Sequence, residues 1–389
     1  MRQKEHMKIL IVGAGPVGCY AAQLLKERGY KPIVLEEHPN VGKPVQCAGI
    51  VSSKLISTIT PYISKEAILR KVDGFVINTP WTEEFTINVP QIACIVNRER
   101  FDIDIGRGLD IRLGRRVTRI TRENKGYCVY TNQKEEFEAD VLIGADGPDS
   151  IVRKYLLNIY NSKSNNNEFR IIYYYGMQYQ IKLKETYSKI TNGFIQVYFD
   201  KDIPFFLWVI PESSRVLRVG VVGIKPGNAK KLLDDYIDNK KIEGKISDVV
   251  AGKIAIGYIP TYSDNIALVG DAACQMKPLT GGGLSFGIKS AKILADCIAE
   301  HKLEEYDSIW KRNVGKEINF GLKAREIYEQ LDEAQKKKVF LLFKKNSAFI
   351  EQAAEFDNHS MLFSKALKNP QLLLDAGKLL VYYLENMLK

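Results

Sequence analysis

The chain has 389 residues, 45% of them hydrophobic and 26% charged, an ordinary globular composition that excludes global disorder and allows two domains or one large composite one. Lysine and arginine outnumber aspartate and glutamate by 56 to 46, for a formal charge of +10. The basic residues are scattered and form no tail, which argues against nucleic acid and leaves a solvated basic surface or attraction to anionic lipid headgroups. Six cysteines (Cys19, Cys47, Cys94, Cys128, Cys274 and Cys297) stand far apart with no C-x-x-C pair and no nearby histidine, so no metal site is expected. Reduced thiols of this kind fit a cytoplasmic protein. The start, Met1 to His6, is polar and is no secretory signal, and the longest apolar run, near Leu379 to Leu384, falls far below the roughly 18 residues of a membrane span.

The stretch from Lys8 to Glu36 organises the rest. An apolar run, Ile9 to Val12, meets Gly13-Ala14-Gly15-Pro16-Val17-Gly18; a helical pattern carrying Ala21, Ala22, Leu24 and Leu25 follows, and a second apolar run ends at Glu36. Gly13 permits a tight turn, Gly15 lets backbone N–H groups approach a pyrophosphate at a helix N-terminus, and Gly18 lets that helix pack closely on the strand. Glu36 can accept both hydroxyls of an adenosine ribose, which favours FAD or NAD over NADP. The loop after it, Glu37 to Gly49, is fixed by two prolines and two glycines. Extended chain spans at most about 3.3–3.6 Å per residue, so the steps from Glu36 to Cys47 can carry the backbone from the ribose to the reactive ring of a dinucleotide.

Short alternating runs at Val72 to Asn78, Phe85 to Val89 and Ile92 to Val96 read as strands, and the segment after Val96 opens a helix. Val117 to Ile120 and Tyr127 to Thr131 read as a hairpin around Asn124, Lys125 and Gly126. Ala139 to Gly147 returns to a core strand ending in a turn with Asp146, and the polar tract Asn161 to Asn167 marks a loop and domain crossing. From Phe169 to Tyr258 the pattern is mostly short strands rich in tyrosine and valine, with one helix near Asn228 to Asp238. Ile266 to Asp271 is another core strand, leading to Pro278-Leu279-Thr280-Gly281-Gly282-Gly283 and a helix from about Leu284 to Glu300. Beyond Trp310 the chain reads as helical to Lys389, with an apolar cluster from Leu372 to Leu384 among others.

Three separated motifs then add up: GAGPVG with Glu36, GADGPDS at 144–150, and VGDAACQMKPLTGGG at 269–283. Together they resemble the two-dinucleotide-binding flavoprotein family with the fold of para-hydroxybenzoate hydroxylase, over residues 8 to 300. The resemblance implies an α/β (α+β composite) architecture: a discontinuous Rossmann-type FAD-binding domain (1–70, 96–160 and 259–310), an inserted antiparallel-sheet substrate domain (71–95 and 161–258) and a C-terminal helical region (311–389). It implies FAD contacts at Gly13, Ala14, Gly15, Pro16 and Gly18, at Glu36 and Glu37, at Cys47 and Ala48, and at Arg98 within an Arg-x-x-Phe-Asp segment. Val117, Asp146, Gly147, Gly270, Asp271, Pro278, Gly281, Gly282, Gly283 and Leu284 complete that set. Physically, Asp271 at a strand end can bind a ribityl hydroxyl, and the backbone of Gly281 to Leu284 at a helix N-terminus can hold negative charge on the flavin pyrimidine.

Within that family, Pro44-Val45-Gln46-Cys47-Ala48-Gly49 and Phe206-Leu207-Trp208-Val209-Ile210-Pro211 look like the geranylgeranyl reductase branch, with Ile210 where the branch has phenylalanine. The branch saturates isoprenoid double bonds in archaeal ether lipids and related prenyl chains. An isolated alkene is a poor hydride acceptor, so its reduction needs hydride from reduced flavin, a proton donor and a dry tunnel. Cys47 is the candidate donor by chain path, and Phe206, Trp208, Ile210 and Pro211 are the candidate substrate wall. No second G-x-G-x-x-G follows another strand, so NAD(P)H or a reduced ferredoxin visits transiently as electron donor. No histidine is assigned a role. The expected partners are a prenyl lipid, the inner face of the membrane as a peripheral contact, and ferredoxin. An aromatic-ring monooxygenase of the same fold and a non-catalytic lipid-binding flavoprotein are the alternatives; an electron-transfer flavoprotein:quinone oxidoreductase is disfavoured because no cysteine follows Cys297.

Overall fold

The computed structural model of the chain describes residues 7–123, 126–163, 169–186, 193–370, 372 and 374. The Met1 to His6 start, the Asn124-Lys125 hairpin tip, residues 164–167 of the polar tract, and the apolar Leu379 to Leu384 run with the helical reading beyond 374 lie outside the described residues.

The core of the first domain is a six-stranded sheet in the order Tyr262–Ser263, Ile266–Leu268, Val141–Gly144, Ile9–Val12, Ile33–Leu35, Asp110–Arg112, parallel except for the Tyr262–Ser263 edge. Its strands are uninterrupted apolar runs because both faces are covered. Ile9 and Ile11 pack with the Pro16–Glu27 and Leu284–Ala299 helices, while Leu10 and Val12 pack with the Ile151–Lys163 helix and a three-stranded sheet at Val117–Glu123, Gly126–Thr131 and Glu136–Ala139. One strand thus serves two cores through its two-residue period.

A second sheet has eight strands in the order Gly244–Gly257, Ile171–Leu183, Val216–Gly223, Leu207–Ser213, Phe194–Tyr198, Ile68–Thr79, Thr82–Val96, Ile50–Ser52. All its pairs are antiparallel except Phe194–Tyr198 beside Ile68–Thr79. Alternation again sorts its faces: Leu207, Val209, Leu217, Val219 and Val221 pack under the Pro226–Asn239 helix, whereas Ile195, Val197, Ile210, Phe206 and Trp208 belong to clusters on the other side. The C-terminal helices close over that second side. Phe340 from the Glu333–Lys345 helix joins Phe85 and Ile87, its ring stacked on Trp81 at 5.3 Å, and Leu322 and Phe356 join the clusters around Trp208. Among the described residues no helix is long and apolar enough to cross a membrane.

Candidate active site

The glycine turn has the geometry its sequence demands. Gly13 has φ +104°, and a Cβ there would lie 2.3 Å from the Ala145 carbonyl oxygen; a Cβ on Gly18 would lie 2.1 Å from the Gly13 oxygen. Above Gly15 there is open space, and the Pro16–Glu27 helix it precedes has no side-chain cap, so its N-terminal positive end faces outward bare. Glu36 is buried at the end of the next strand. One carboxylate oxygen accepts from Ala14 N–H at 2.8 Å, and the other meets His38 N–H at 2.9 Å and His38 Nδ1 at 2.7 Å. Arg115 N–H donates to Glu36 O at 2.7 Å, which carries the chain past this point into Val117. Glu37 is exposed, with His38 Nε2 3.9 Å from its carboxylate.

The second motif holds a difference. Asp146 is expected as a cofactor contact, yet its carboxylate caps the Ile151–Lys163 helix, accepting from Ser150 Oγ at 2.5 Å, Ile151 N–H at 2.8 Å and Val152 N–H at 3.2 Å. Gly147, with φ +73° and open space above it, leaves the backbone of this turn accessible. That helix also delivers Arg153, 2% exposed, whose guanidinium donates to the Asp271 and Ala272 carbonyls at 3.2 Å and to Tyr173 Oη at 3.2 Å.

Arg153 fixes the backbone of the third motif and leaves the Asp271 carboxylate unused. No hydrogen bond reaches that carboxylate among the described residues. Burial raises its pKa, with the charges of Arg98 and Arg153 opposing. A Cβ on Gly283 would lie 2.8 Å from Asp271 Oδ1, so glycine there is what lets the carboxylate stand beside the loop. Gly270 (φ +66°) packs on Val17, and Pro278 is buried below Gly321. Leu284 starts a helix that no side chain caps. A bare helix end above open space, a second bare end beside a glycine loop, and a half-buried carboxylate that no hydrogen bond reaches among the described residues together fit FAD: Gly15 could meet the pyrophosphate, Glu36 the ribose, and Asp271 with Gly281 to Leu284 the flavin half.

Arg98 and Cys47 come together with Asp271. The Arg98 helix starts at Asn97, whose side chain caps Arg100 N–H at 3.1 Å, and Arg98 pairs with Asp102 one turn on at 3.0 Å. Burial works against the Arg98 charge, but Asp102 and Cys47 beside it outweigh that and hold its pKa above the ordinary arginine value. Cys47 is half-buried, and its Sγ accepts from Gly49 N–H at 3.4 Å. Its loop lies across the large sheet. A Cβ on Gly252 would meet Gln46 O at 2.9 Å, and Arg218, rooted in the sheet by Glu212 at 2.7 Å, donates to Ala48 O at 2.9 Å and Val96 O at 3.1 Å.

Phe206 and Trp208 are half-buried on the sheet face next to this loop, their rings 6.2 Å apart, in one cluster with Ala48, Phe75 and Phe356. The indole lies flat on Gly220, where a Cβ would come within 2.4 Å of the ring, and its Nε1 donates to Gln178 Oε1 at 2.8 Å. The glycine loop reaches the same face, since a Cβ on Gly281 would touch Ile254 at 3.4 Å and Phe205 at 3.9 Å. Of the other two expected wall residues, Ile210 shares this face and Pro211 does not. Ile210 is fully buried beneath the wall, and Pro211, paired with Leu217, has the parity of Leu207 and Val209 and so lies on the opposite face of the sheet. A cavity of about 510 Å³, lined by Lys8, Lys31, Glu136 and their neighbours, lies at the opposite edge of the six-stranded sheet, away from the carboxyl ends of its strands where such folds bind ligands.

Sequence reasoning missed five residues that shape the site: His38 against Glu36, Arg153, Arg218, Arg325 and Lys277. Arg325, 6% exposed in the Lys316–Gln330 helix, donates to Pro278 O at 3.2 Å, Pro204 O at 2.9 Å and Tyr174 Oη at 3.2 Å, and its guanidinium lies 3.8 Å over the Phe205 ring. Lys277 is buried against Asp357 at 3.1 Å, and burial lowers its pKa despite that partner.

Comparison with known proteins gives the family and the fold. Across 385 residues the chain is 29% identical to an uncharacterised protein of Methanocaldococcus jannaschii, covering 93% of this chain and 95% of that one. It is 28% identical to the digeranylgeranylglycerophospholipid reductase of Methanococcus vannielii, covering 85% of this chain and 88% of the other. Among solved structures, a geranylgeranyl bacteriochlorophyll reductase-like protein from Thermoplasma acidophilum superposes over 98% of this chain and 99% of its own with a TM-score of 0.78 at 20% identity, which establishes the shared fold. Residues 11–47 match an NAD(P)-binding Rossmann-like domain. Residues 104–307, more than half of the sequence, match the FAD binding domain, and the chain belongs to that family.

Proposed function

We propose that this protein is an FAD-dependent reductase that saturates C=C bonds of geranylgeranyl (isoprenoid) chains in archaeal-type membrane lipids or related prenyl compounds. Reduced FAD, when bound, supplies the hydride. What the chain's own residues contribute is a proton, a dry surface and an orientation. The Cys47 thiol gives its proton to the second alkene carbon, and the thiolate left behind, beside the Arg98 guanidinium, is reprotonated from solvent. Phe206 and Trp208 offer an isoprenoid tail no hydrogen-bond competitor for water to bridge, and Arg218 holds the Cys47 loop against that wall through Ala48 O.

The observation that carries this reading is the meeting of the Gly281 loop, the Cys47 loop and the Phe206–Trp208 face on one side of the large sheet. Relatives named digeranylgeranylglycerophospholipid reductase, such as those of Methanococcus vannielii and Methanosphaera stadtmanae, support it. The lipid substrate brings the protein to the membrane surface as a peripheral partner, its basic surface facing anionic headgroups, and NAD(P)H or a reduced ferredoxin delivers electrons in passing. Dithionite-reduced protein incubated without oxygen with a geranylgeranyl lipid is expected to give products heavier by successive pairs of hydrogens in mass spectrometry. A lipid of unchanged mass beside flavin that stays reduced refutes the assignment, and a Cys47→Ala variant with the full rate removes the thiol as donor.

A further inference from the structure

Lys277 stands between the flavin loop and the end of the described chain. It is 4% exposed, and its Nζ donates to Phe356 O at 3.0 Å and to Asp357 Oδ1 at 3.1 Å while lying 4.1 Å above the Phe356 ring. Asp357 is equally buried, and its other oxygen accepts from Ser52 Oγ at 2.5 Å; Ser52 in turn is 3.5 Å from Ser285 Oγ, in the first turn of the helix that follows the glycines. On its other flank Lys277 supports the loop. A Cβ on Gly282 would lie 3.0 Å from Lys277 Cε and 3.5 Å from Nζ, while Lys277 N–H donates to Gly282 O at 3.0 Å and its carbonyl accepts from Gly281 N–H at 2.8 Å. Phe356 stacks on Phe75 at 6.3 Å and shares a cluster with Phe206, Trp208 and Ala48. The charges of Glu317 and Lys289 also act on Lys277, and Glu317 itself accepts from Ser360 N–H at 2.9 Å.

Two apolar side chains of the same volume would pack this spot as well as a buried ion pair does, so stability alone does not account for a lysine here. The pair does two things that apolar residues cannot. It orders the Phe356 backbone by a directed hydrogen bond, and it sets a cation and its counter-charge at measured places beside the Gly281–Gly283 loop. We propose that Lys277 is a positioning residue of the reaction chamber, tethering Phe356 into the apolar wall from one end of its side chain and balancing the charge beneath the flavin loop with Asp357. The proposal deepens the reductase reading and rests on it for the apolar chain that Phe356 would border.

The test compares flavin-loaded wild type with Lys277→Met, Asp357→Asn and the double variant. Removing Lys277 leaves an uncompensated negative charge, so the flavin midpoint potential moves to more negative values; Asp357→Asn moves it the other way, and the double variant returns toward wild type. Amide hydrogen exchange of residues 354–360, followed with flavin and in flavin-free protein, quickens in all three, and in the two Lys277→Met variants KM for a geranylgeranyl lipid rises roughly tenfold with a smaller change in kcat, the order of a displaced aromatic contact. Lys277→Arg restores the slow exchange. Should Lys277→Met fail to fold, Asp357→Asn alone still reads both effects. A wild-type potential in both single variants, or unaltered exchange of 354–360, overturns the proposal. Potential and exchange need no lipid, so a wild type inactive on every prenyl lipid refutes the reductase reading separately.

Discussion

Arg218→Met probes how the Cys47 loop is held. Methionine keeps most of the apolar length of the arginine and removes all of its hydrogen bonds. Arg218 is 8% exposed, and its Nη1 is the donor to Ala48 O at 2.9 Å and Val96 O at 3.1 Å, while Nε holds Glu212 at 2.7 Å. A hydrogen bond from a charged donor is worth about 1.5–3 kcal/mol, and two carbonyls lose theirs. Glu212 is 20% exposed and recovers water, so its share is discounted. The expected loss is about 3–5 kcal/mol, seen as a lower urea midpoint at unchanged slope. A second assay isolates the loop: five of the six cysteines are buried and Cys47 alone is half-buried, so a thiol reagent applied to native protein reports on Cys47. Its reaction speeds up when Ala48 O is released. Gly49→Ala attacks the same contact from the other side, because at φ +78° its Cβ would lie 2.3 Å from Arg218 Nη1. The double variant therefore costs less than the sum of the singles. A loss below about 1 kcal/mol with an unchanged Cys47 rate, or strictly additive costs, refutes this account.

Asp271→Ala is expected to weaken FAD binding by about 10- to 100-fold, the worth of one hydrogen bond to a charged group, without lowering the melting temperature of the flavin-free protein; equal affinity in a fluorescence titration refutes the role. Burial, and after it the charge of Lys277, pushes the His359 pKa down to about 3 from 6.5, so the unfolded chain binds more protons between those values. Stability from this group is complete above pH 6.5 and falls as the pH drops toward 3, and His359→Phe flattens that slope in urea melts at pH 7, 6 and 5. Arg325→Met frees Pro278 O, Pro204 O and Tyr174 Oη, with an expected loss of about 2–4 kcal/mol and faster release of flavin on dilution; retention equal to wild type counts against the contact with the 278 loop.

What could be read in advance is what is local. The turn at Gly13, the helix after Pro16 and the acid at Glu36 depend on neighbours within one βαβ unit, and the alternating runs at 72–78, 85–89 and 92–96 announce strands directly, the last two falling within the single strand Thr82–Val96. The clamps could not be read this way. Arg218 and Ala48 are 170 positions apart, Arg153 and Asp271 118, and Lys277 and Asp357 80. Each is a long polar side chain that, in a strand, helix or loop, looks like one facing water. Asp146 carries two signals at once: an acid before Ser150 and an apolar helix is also a helix cap, and its side chain takes that role while the turn's backbone stays open. Pro211 was legible after all, since an odd step from Trp208 along a strand must face the other way.

The clamp from Arg325 and the tether at Asp357 bear on how the protein is made. Both grip the 277–278 segment, but both are translated well after it, so a nascent chain that has displayed every glycine motif still lacks the struts that hold the last one. Firm flavin binding is thereby expected only once residues 325 and 357 have been added. Ribosomal products broken off before residue 325 would emerge pale and be open to proteases, and each yellow molecule in the cell would be one whose translation had passed residue 357.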